Sequence, residues 1–507
     1  MTKGCVQGSA CGPVFWNLIL DELLTLPLPK GAHIQAFADD VLLVVEGAER
    51  KDVEATTSIC LDDINSWGER VKLKFGSDKT HAISFTPQTK QANLKMANST
   101  ISLTDQIKIL GVIIDSKLNF IQHVNYILNK ATKILKNICK FVRPTWGVHP
   151  ENVECIYRQV IVPIITYAAG IWGSATKFYS VRRALRSFQR SFAIRAIRGF
   201  HTISAVAALA IAQFPPLHLV IDESLEIHKT KKTGICQELP DDIALYSKTK
   251  VRGLLHPAKR VTITYDEATT QEDTTALINP DAPNIFTDGS KKEDGQAGAS
   301  FVVMMEGQRP VIKKFKLCRT ASVFMCELFA IAEALKWLTN ANTHFTEALI
   351  FSDSQSSLKA IQDRSNTDPL VNRIHHLISF LSSINTTVKF VWSKAHVGIV
   401  GNEIADVAAK EAAEKKTATL LNHFPLSHAK RLLRQRTLDA WQCEYESAPQ
   451  GIEGGVETKR MRYNNRVWTL KRWVPVLWVR GIRIEGGVET KRMRYNNRVW
   501  TLKRWVG

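Results

Sequence analysis

Apolar residues follow three different rhythms along this chain. In Ile34-Gln35-Ala36-Phe37-Ala38-Asp39-Asp40-Val41-Leu42-Leu43-Val44-Val45 they crowd both sides of an acidic pair. That predicts two short strands with Asp39-Asp40 at the turn. The rest of 1–120 reads as short strands and helices joined by tight turns. From 121 to 214 the spacing is helical: Leu185, Phe188, Phe192 and Ala196 form one stripe, beside Arg182, Arg183, Arg186, Arg190, Arg195 and Arg198. Residues 215–283 lose both rhythms. Pro215-Pro216, Pro240 and the polar stretch Glu267 to Asp273 read as a connector with little core of its own.

A compact α/β pattern runs from 284 to 415. Asn284 to Ser290, Ala297 to Met305 and Val311 to Leu317 predict three strands in an antiparallel meander. Ser322 is placed to cap a helix with Phe324, Leu328, Ile331, Leu335 and Leu338 along one stripe. Ala348 to Ser352 and Val388 to Trp392 read as strands. Ser356 to Ile361, Val371 to Leu381 and Asn402 to Ala413 read as helices. The fold class is therefore α/β and multi-domain, with a five-stranded mixed sheet and packed helices in this segment. Residues 416–450 read as a helical extension.

Composition and charge narrow the function. With 507 residues, 45% of them hydrophobic and 23% charged, wholesale disorder is excluded and roughly three domains are expected. No apolar run reaches the roughly 18 residues of a membrane span, and Ile161 to Trp172 is short and holds Pro163. No h-region follows Met1. Nine scattered cysteines without a CxxC pair suggest neither zinc nor a disulfide framework. A reducing intracellular compartment, nucleus or cytoplasm, is expected, with no membrane partner. The net charge of +19 is uneven. Residues 101–200 carry 15 basic and 4 acidic residues, and 451–507 carry 14 and 4, while 281–420 carry 16 and 15. Such an excess implies contact with a polyanion, most often nucleic acid. The tail (451–507) also repeats itself: Ile452 to Val474 recurs unchanged at 484–506. Structural repeats diverge and need several copies to stack. Two identical copies read as a recent duplication or an assembly artefact, or else as a basic, aromatic-interleaved nucleic-acid arm.

The candidate chemistry lies in the near-neutral segment. Asp288 stands near the end of the first strand, Glu327 on the first helix, Asp353 at the end of the fourth strand, and Asp406 on the last helix. His396 lies in a loop with two glycines, Gly398 and Gly401. A lone aspartate at a strand end is usually a turn or cap residue. An ordered set of four is more specific. Oxygen-only ligands suit Mg²⁺ or Mn²⁺ rather than zinc, and converging carboxylates need a cation to stay charged. Two such ions can activate water and stabilise the leaving oxygen in phosphodiester cleavage.

Thr287-Asp288-Gly289-Ser290, Glu327-Leu328, Ser352-Asp353-Ser354-Gln355 and His396-Val397-Gly398 with Gly401 to Asp406 resemble the type 1 ribonuclease H domain, over roughly 284–415. The resemblance implies cleavage of the RNA strand of an RNA–DNA hybrid with two Mg²⁺ ions. It makes Asp288, Glu327, Asp353 and Asp406 metal ligands and gives His396 a part in proton transfer or product release. Ser290, Gln355 and Asn402 become contacts to the hybrid, whose backbone is the partner. No small-molecule cofactor is implied. Ser393-Lys394-Ala395 departs from the family's usual proline and small residue before the histidine. No separate basic protrusion lies between Ile361 and Val388, which resembles retroelement domains.

Further upstream, Gly4 to Ser9 with Gly12-Pro13, then Phe37-Ala38-Asp39-Asp40, then Lys79-Thr80, then Leu110-Gly111-Val112 with Asp115, resemble the later palm motifs of reverse transcriptase, in order. Val6 stands where the family usually has proline. Tyr167-Ala168 to Trp172 and Leu185 to Ile197 with Pro215-Pro216-Leu217 resemble the thumb and following region of non-LTR retrotransposon polyproteins. The resemblance divides the chain into a partial palm (1–120), a helical thumb (121–216), a connector (217–283), the nuclease (284–415), the helical extension (416–450) and the tail (451–507). It makes Gln7, Gly8, Asp39, Asp40 and Lys79 vestigial polymerase residues. Fingers and the first catalytic aspartate are missing from the 507 residues, so no polymerisation is expected of this chain. A non-catalytic nucleic-acid-binding remnant is the alternative.

Overall fold

The computed structural model describes residues 8–76, 79–96, 99–142, 146–341, 343–395, 397–415 and 420–447, together with the backbone of 488–495 and 498–505. It divides into one unit over 1–450 and a second over 451–507.

The first unit begins with helix α1 (Gly12–Leu24), strands β1 (Ala32–Phe37) and β2 (Asp40–Val45), and helix α2 (Arg50–Arg70). β1 and β2 pair antiparallel, with Phe37 opposite Asp40, so the turn residues are Ala38 and Asp39. Ala38 takes a left-handed φ of 52°. Trp16 fixes this tip by donating its indole N–H to the Ala38 carbonyl at 2.9 Å. A second hairpin, β3 (Gln106–Ile109) and β4 (Val112–Asp115), turns through Leu110-Gly111 with positive φ at both, the conformation a two-residue hairpin demands. Asp115 then accepts N–H groups from Lys117, Asn119 and Phe120, which leads the chain into helix α3 (Ile121–Ile138).

The helical region follows: α3, short helical segments between Pro150 and Lys177, α4 (Tyr179–Ala196), α5 (Ala205–Ala212) and α6 (Leu217–Thr233). One core joins them, from Val112 through Trp172, Leu185 and Phe192 to Leu217 and Ile221. Helix α6 therefore belongs to this core, although its residues read as connector. Pro216 sits at its N-cap, where a missing N–H costs nothing, so the proline pair starts a helix instead of ending a domain.

Strand β5 (Ala244–Leu245) comes next, then β6 (Tyr265–Ala268) and helix α7 (Gln271–Leu277). The α/β segment contains β7 (Asn284–Lys291), β8 (Ala297–Met304), β9 (Val311–Leu317), α8 (Val323–Thr339), β10 (Glu347–Ser352), α9 (Gln355–Gln362), α10 (Pro369–Ser383), β11 (Thr387–Ser393) and α11 (Val400–Glu414). The five expected strands are present, and β6 adds a sixth. The order is β6-β11-β10-β7-β8-β9. β7, β8 and β9 form the antiparallel meander, and β7, β10, β11 and β6 run parallel. Alternation along β7 serves two cores. Ile285 joins Leu328, Ile331 and Ile374 on one face, and Phe286 joins Phe351, Ile399 and Ala405 on the other. The sixth strand had a signal, because Val261, Ile263 and Tyr265 alternate with polar residues and pack against the first of these cores.

After α11 the chain forms strand β12 (His423–Phe424) and helix α12 (Leu426–Glu446). β12 pairs parallel with β5, Ala244 against His423 and Leu245 against Phe424. Helix α12 then returns to α6 of the helical region. His218 meets Glu444 at 2.7 Å and Arg434 meets Glu223 at 3.3 Å. Among the described residues no single helix is long and apolar enough to cross a membrane. In the second unit, β13 (Val488–Tyr495) and β14 (Arg498–Trp505) form an antiparallel hairpin within the second copy of the tail repeat. The first copy lies outside the described residues.

Candidate active site

Three carboxylates meet at the carboxyl end of the parallel strands. Asp288 sits on β7, on the face of Phe286. Asp353 follows directly on β10, held where Trp392 donates its indole N–H to the Asp353 carbonyl at 2.9 Å. Ser354 caps α9 by accepting the Ser357 N–H, which turns the chain sharply after Asp353. Glu327 comes from the first turns of α8. It reaches Asp288 because Gly289 has no side chain: a Cβ there would overlap the backbone of Cys326 and Glu327. One carboxylate oxygen from each of Asp288, Glu327 and Asp353 lies within 4.8 Å of the others.

Burial makes this an electrostatically costly group. Asp288 is 7% exposed and Glu327 5%. Desolvation first, then the negative charges of Asp353 and Asp406, push the Asp288 carboxyl up to about 7, against the pull of Lys410 and the Gly289 N–H. Glu327 is raised well above the usual carboxylate range by burial and by Asp288 and Asp353. Its Oε2 is buried with no hydrogen-bond partner among the described residues. A buried carboxylate oxygen without a donor is expensive unless a cation faces it. The donor set is oxygen only, which suits a hard divalent ion.

The other predicted residues are placed as follows. Asp406 lies on α11, close enough to act on Asp288 through its charge, and pairs with Lys410 one turn on at 2.7 Å. Helix α11 is drawn onto the sheet by two glycines: a Cβ on Gly298 would strike the Ala409 carbonyl, and one on Gly401 the Phe286 ring. Ser300 donates its hydroxyl to the Ala405 carbonyl at 2.6 Å in the same interface. Asn402 is buried on α11, its Oδ1 without a partner among the described residues. Ser290 is half-buried two residues beyond Asp288, on the same face. Gln355 starts α9, its amide donating to Glu267 at 3.4 Å and accepting from Lys359 at 3.0 Å. His396 lies outside the described residues.

Sequence reasoning missed the part played by residues 265–277. Glu267 meets Gln355, the Lys394 N–H donates to the Ala268 carbonyl, and Thr274 and Ser393 are buried together with hydroxyls 3.5 Å apart. The Thr270–Asp273 capping box at the head of α7 was the legible signal.

The N-terminal candidates are not drawn together in this way. Asp39 and Asp40 are exposed at the β1–β2 tip, and Lys79 and Gly8 are exposed elsewhere. Gln7 lies outside the described residues. Among the described residues, the trio Asp288, Glu327 and Asp353 is the one grouping of metal-capable side chains, and neither Asp39 nor Asp40 belongs to it.

Comparison with known proteins places both regions. Residues 280–414 match the RNase H family, and residues 1–114 match the reverse transcriptase (RNA-dependent DNA polymerase) family. The chain is 26% identical over 220 residues to a putative 115 kDa protein in the type-1 retrotransposable element R1DM of Drosophila melanogaster, covering 43% of this chain and 21% of that one. It is 26% identical over 236 residues to a retrovirus-related Pol polyprotein from the type-1 retrotransposable element R1 2 of Nasonia vitripennis, covering 45% and 58%. To the RNA-directed DNA polymerase from the mobile element jockey of Drosophila funebris it is 22% identical over 182 residues, covering 34% and 20%. The chain thus spans about a fifth of the fly proteins' length and just over half of the wasp protein's. By both its matched domains and its relatives, the chain is similar to the polyproteins of non-LTR retrotransposons.

Proposed function

We propose that the 280–414 domain is a metal-dependent endonuclease that hydrolyses the RNA strand of RNA–DNA hybrids. The observation that carries the reading is the convergence of Asp288, Glu327 and Asp353 within 4.8 Å, with a buried Glu327 oxygen left unpartnered among the described residues. RNase H domains generally use a divalent metal. In this chain Asp288, Glu327, Asp353 and Asp406 would hold two Mg²⁺ ions, and Mn²⁺ fits the same oxygens. Bound there, such ions supply the charge that lowers the pKa of an attacking water and steadies the leaving oxygen. The protein's own part is positional. Gly289 lets Glu327 approach, Ser354 and Trp392 fix Asp353, and the seat of α11 on β7 and β8 fixes Asp406. Ser290, Gln355 and Asn402 line the neighbourhood in which the hybrid backbone would lie, and His396 would move a proton at the scissile phosphate. Hybrid recognition would rest on A-form shape and 2′-hydroxyls, with little preference for sequence. The reading gives Asp39 and Asp40 no polymerase role, since no third acidic partner groups with them among the described residues.

The test is incubation of the 507-residue protein with an end-labelled hybrid and Mg²⁺. We expect the RNA strand to be cut and the DNA strand to survive, with a chelator stopping the reaction. Asp288→Asn should lower the rate by more than the roughly 10–100-fold typical of outer-shell substitutions. Hybrid binding without turnover, or turnover that survives Asp288→Asn, would overturn the nuclease.

A further inference from the structure

We propose that residues 248–260, together with Arg364, form a surface that grips the phosphate backbone of a nucleic-acid duplex and holds it against the nuclease domain. The proposal rests on the nuclease reading above for the identity of the duplex. The segment carries Lys248, Lys250, Arg252, Lys259 and Arg260 and no carboxylate. It is strapped to the loop between α9 and α10 and to the start of α10. The Thr249 N–H donates to the Thr367 carbonyl at 2.7 Å, and the Tyr246 hydroxyl donates to Asp368 at 2.6 Å. Asn372 accepts the Leu255 N–H and donates to the Gly253 carbonyl. Leu255 is buried beneath the strap. The cations therefore ride on a fixed backbone, so little ordering entropy is left to lose on binding.

Their charge is not compensated. Lys248, Lys250, Arg252, Lys259, Arg260 and Arg364 make no ion pair among the described residues, although fifteen such pairs occur elsewhere. The nearby carboxylates have other partners: Asp363 accepts from Ser365, and Asp368 from Tyr246 and the α10 backbone. Arg260 and Arg364 interlock. Arg260 donates to the Leu255 and Arg364 carbonyls, and Arg364 donates to the Arg260 and Pro257 carbonyls at 2.7 and 3.2 Å. Two like charges are thus brought to one place by carbonyl dipoles, with no ion pair to either among the described residues, an arrangement that a phosphate relieves. Near them His375 is 5% exposed with neither ring nitrogen partnered among the described residues, and burial together with the two arginines lowers its pKa against the pull of Asp363.

The strap lies within reach of the site. Seven residues separate Arg260 from Glu267, at most about 25 Å of extended chain. Glu267 touches Gln355, two residues from Asp353. At about 3.4 Å per base pair that is some seven base pairs, less than one duplex turn. A row of cations with guanidinium forks suits evenly spaced phosphates better than the irregular carboxylates of an acidic protein.

The experiment measures affinity of the full chain, in chelator, for a fluorescent RNA–DNA hybrid of about 18 base pairs across a salt series. Two variants carry it. K248E/K250E/R252E alters side chains that make no hydrogen bond among the described residues, and R260A/R364A is paired with the charge-keeping R260K/R364K. The triple variant should bind at least about tenfold more weakly. Its salt slope should flatten by about 0.9 for each phosphate it no longer neutralises. R260K/R364K should keep the wild-type slope, and R260A/R364A should not. With Mg²⁺ the triple variant should raise KM and spare kcat. Unchanged affinity and slope in the triple variant would overturn the surface, as would polyglutamate competing as well as the hybrid does. A wild-type chain that cuts no hybrid but binds it through the strap would sink the nuclease and leave the surface standing. A wild-type chain that cuts, with strap variants binding normally, would do the reverse.

Discussion

A carboxyl such as Glu327 shows how a residue that looks ordinary alone becomes unusual through its neighbours. In the sequence it is one acidic position on an apolar helix. In the fold it is 5% exposed, faces Asp288 and has an oxygen with no donor among the described residues. His123 shows the opposite case, a buried titratable group with a purely structural setting. It is fully buried, its Nδ1 accepts the Ile113 N–H at 3.2 Å, and its ring lies edge-on to Trp172. Burial lowers its pKa to about 4. The unfolded chain takes up a proton near pH 6.5, and the folded chain resists until about 4. The stability contributed is therefore present above pH 6.5 and lost as pH falls toward 4, about 2 kcal/mol of it by pH 5. Urea unfolding at pH 7.5 and pH 5 should show that extra acid loss in the wild type and not in His123→Asn, whose amide oxygen can still accept the Ile113 N–H. Equal losses in both proteins would show that His123 is charged in the folded state.

At the scale of elements, the RNase H domain was legible because its strands and helices are long, strongly patterned and punctuated by caps and glycines. Asp288 and Asp353 could be placed at strand ends from pattern alone, and Glu327 and Asp406 on helices. What pattern could not convey was distance. Gly289, Gly298 and Gly401 set how closely α8 and α11 approach the sheet, and a glycine in a sequence does not say what lies above it. β6 escaped notice because it is short and holds Asp266 and Glu267. The pairing of α12 with α6 was hidden because His218 and Glu444 stand 226 residues apart. The close seat of α11 has a measurable consequence. In Gly298→Ala the new methyl would meet the Ala409 carbonyl and lie 2.6 Å from the Ala413 nitrogen, both backbone atoms that cannot swing aside. It should cost about 1–3 kcal/mol in thermal stability. It should also raise the Mg²⁺ concentration needed for half-maximal hybrid cleavage, because Asp406 rides on the displaced helix. An unchanged Mg²⁺ requirement would mean that this seat does not govern the site.

For the molecule as a whole, the balance of charge separates gripping from cutting. The stretch 281–420, which contains the RNase H domain, has 16 basic and 15 acidic residues, and three of its carboxylates converge. The positive excess lies in the helical region, in the strap over 248–260 and in the tail. A near-neutral domain in a chain whose positive excess lies elsewhere keeps its acidic cluster from being crowded by cations while the chain as a whole still attracts a polyanion.

The pairing of Ala244 with His423 and Leu245 with Phe424 bears on how such a protein can change over time. Everything between these two short strands, strap and sixth strand included, leaves and returns at neighbouring rungs of one ladder, about 4.8 Å apart. The RNase H domain is thus a cassette, plugged into a helical host whose last helix is supplied only after the insert has been read through. Replacing residues 246–422 by a flexible linker of about fifteen glycine and serine residues, enough for the crossover that parallel strands need, should leave the α6–α12 pair assembled, with helical circular dichroism and one cooperative melt. Loss of both would show that host and cassette depend on each other. If the host survives, gain, loss or exchange of the nuclease costs the lineage little more than one short splice.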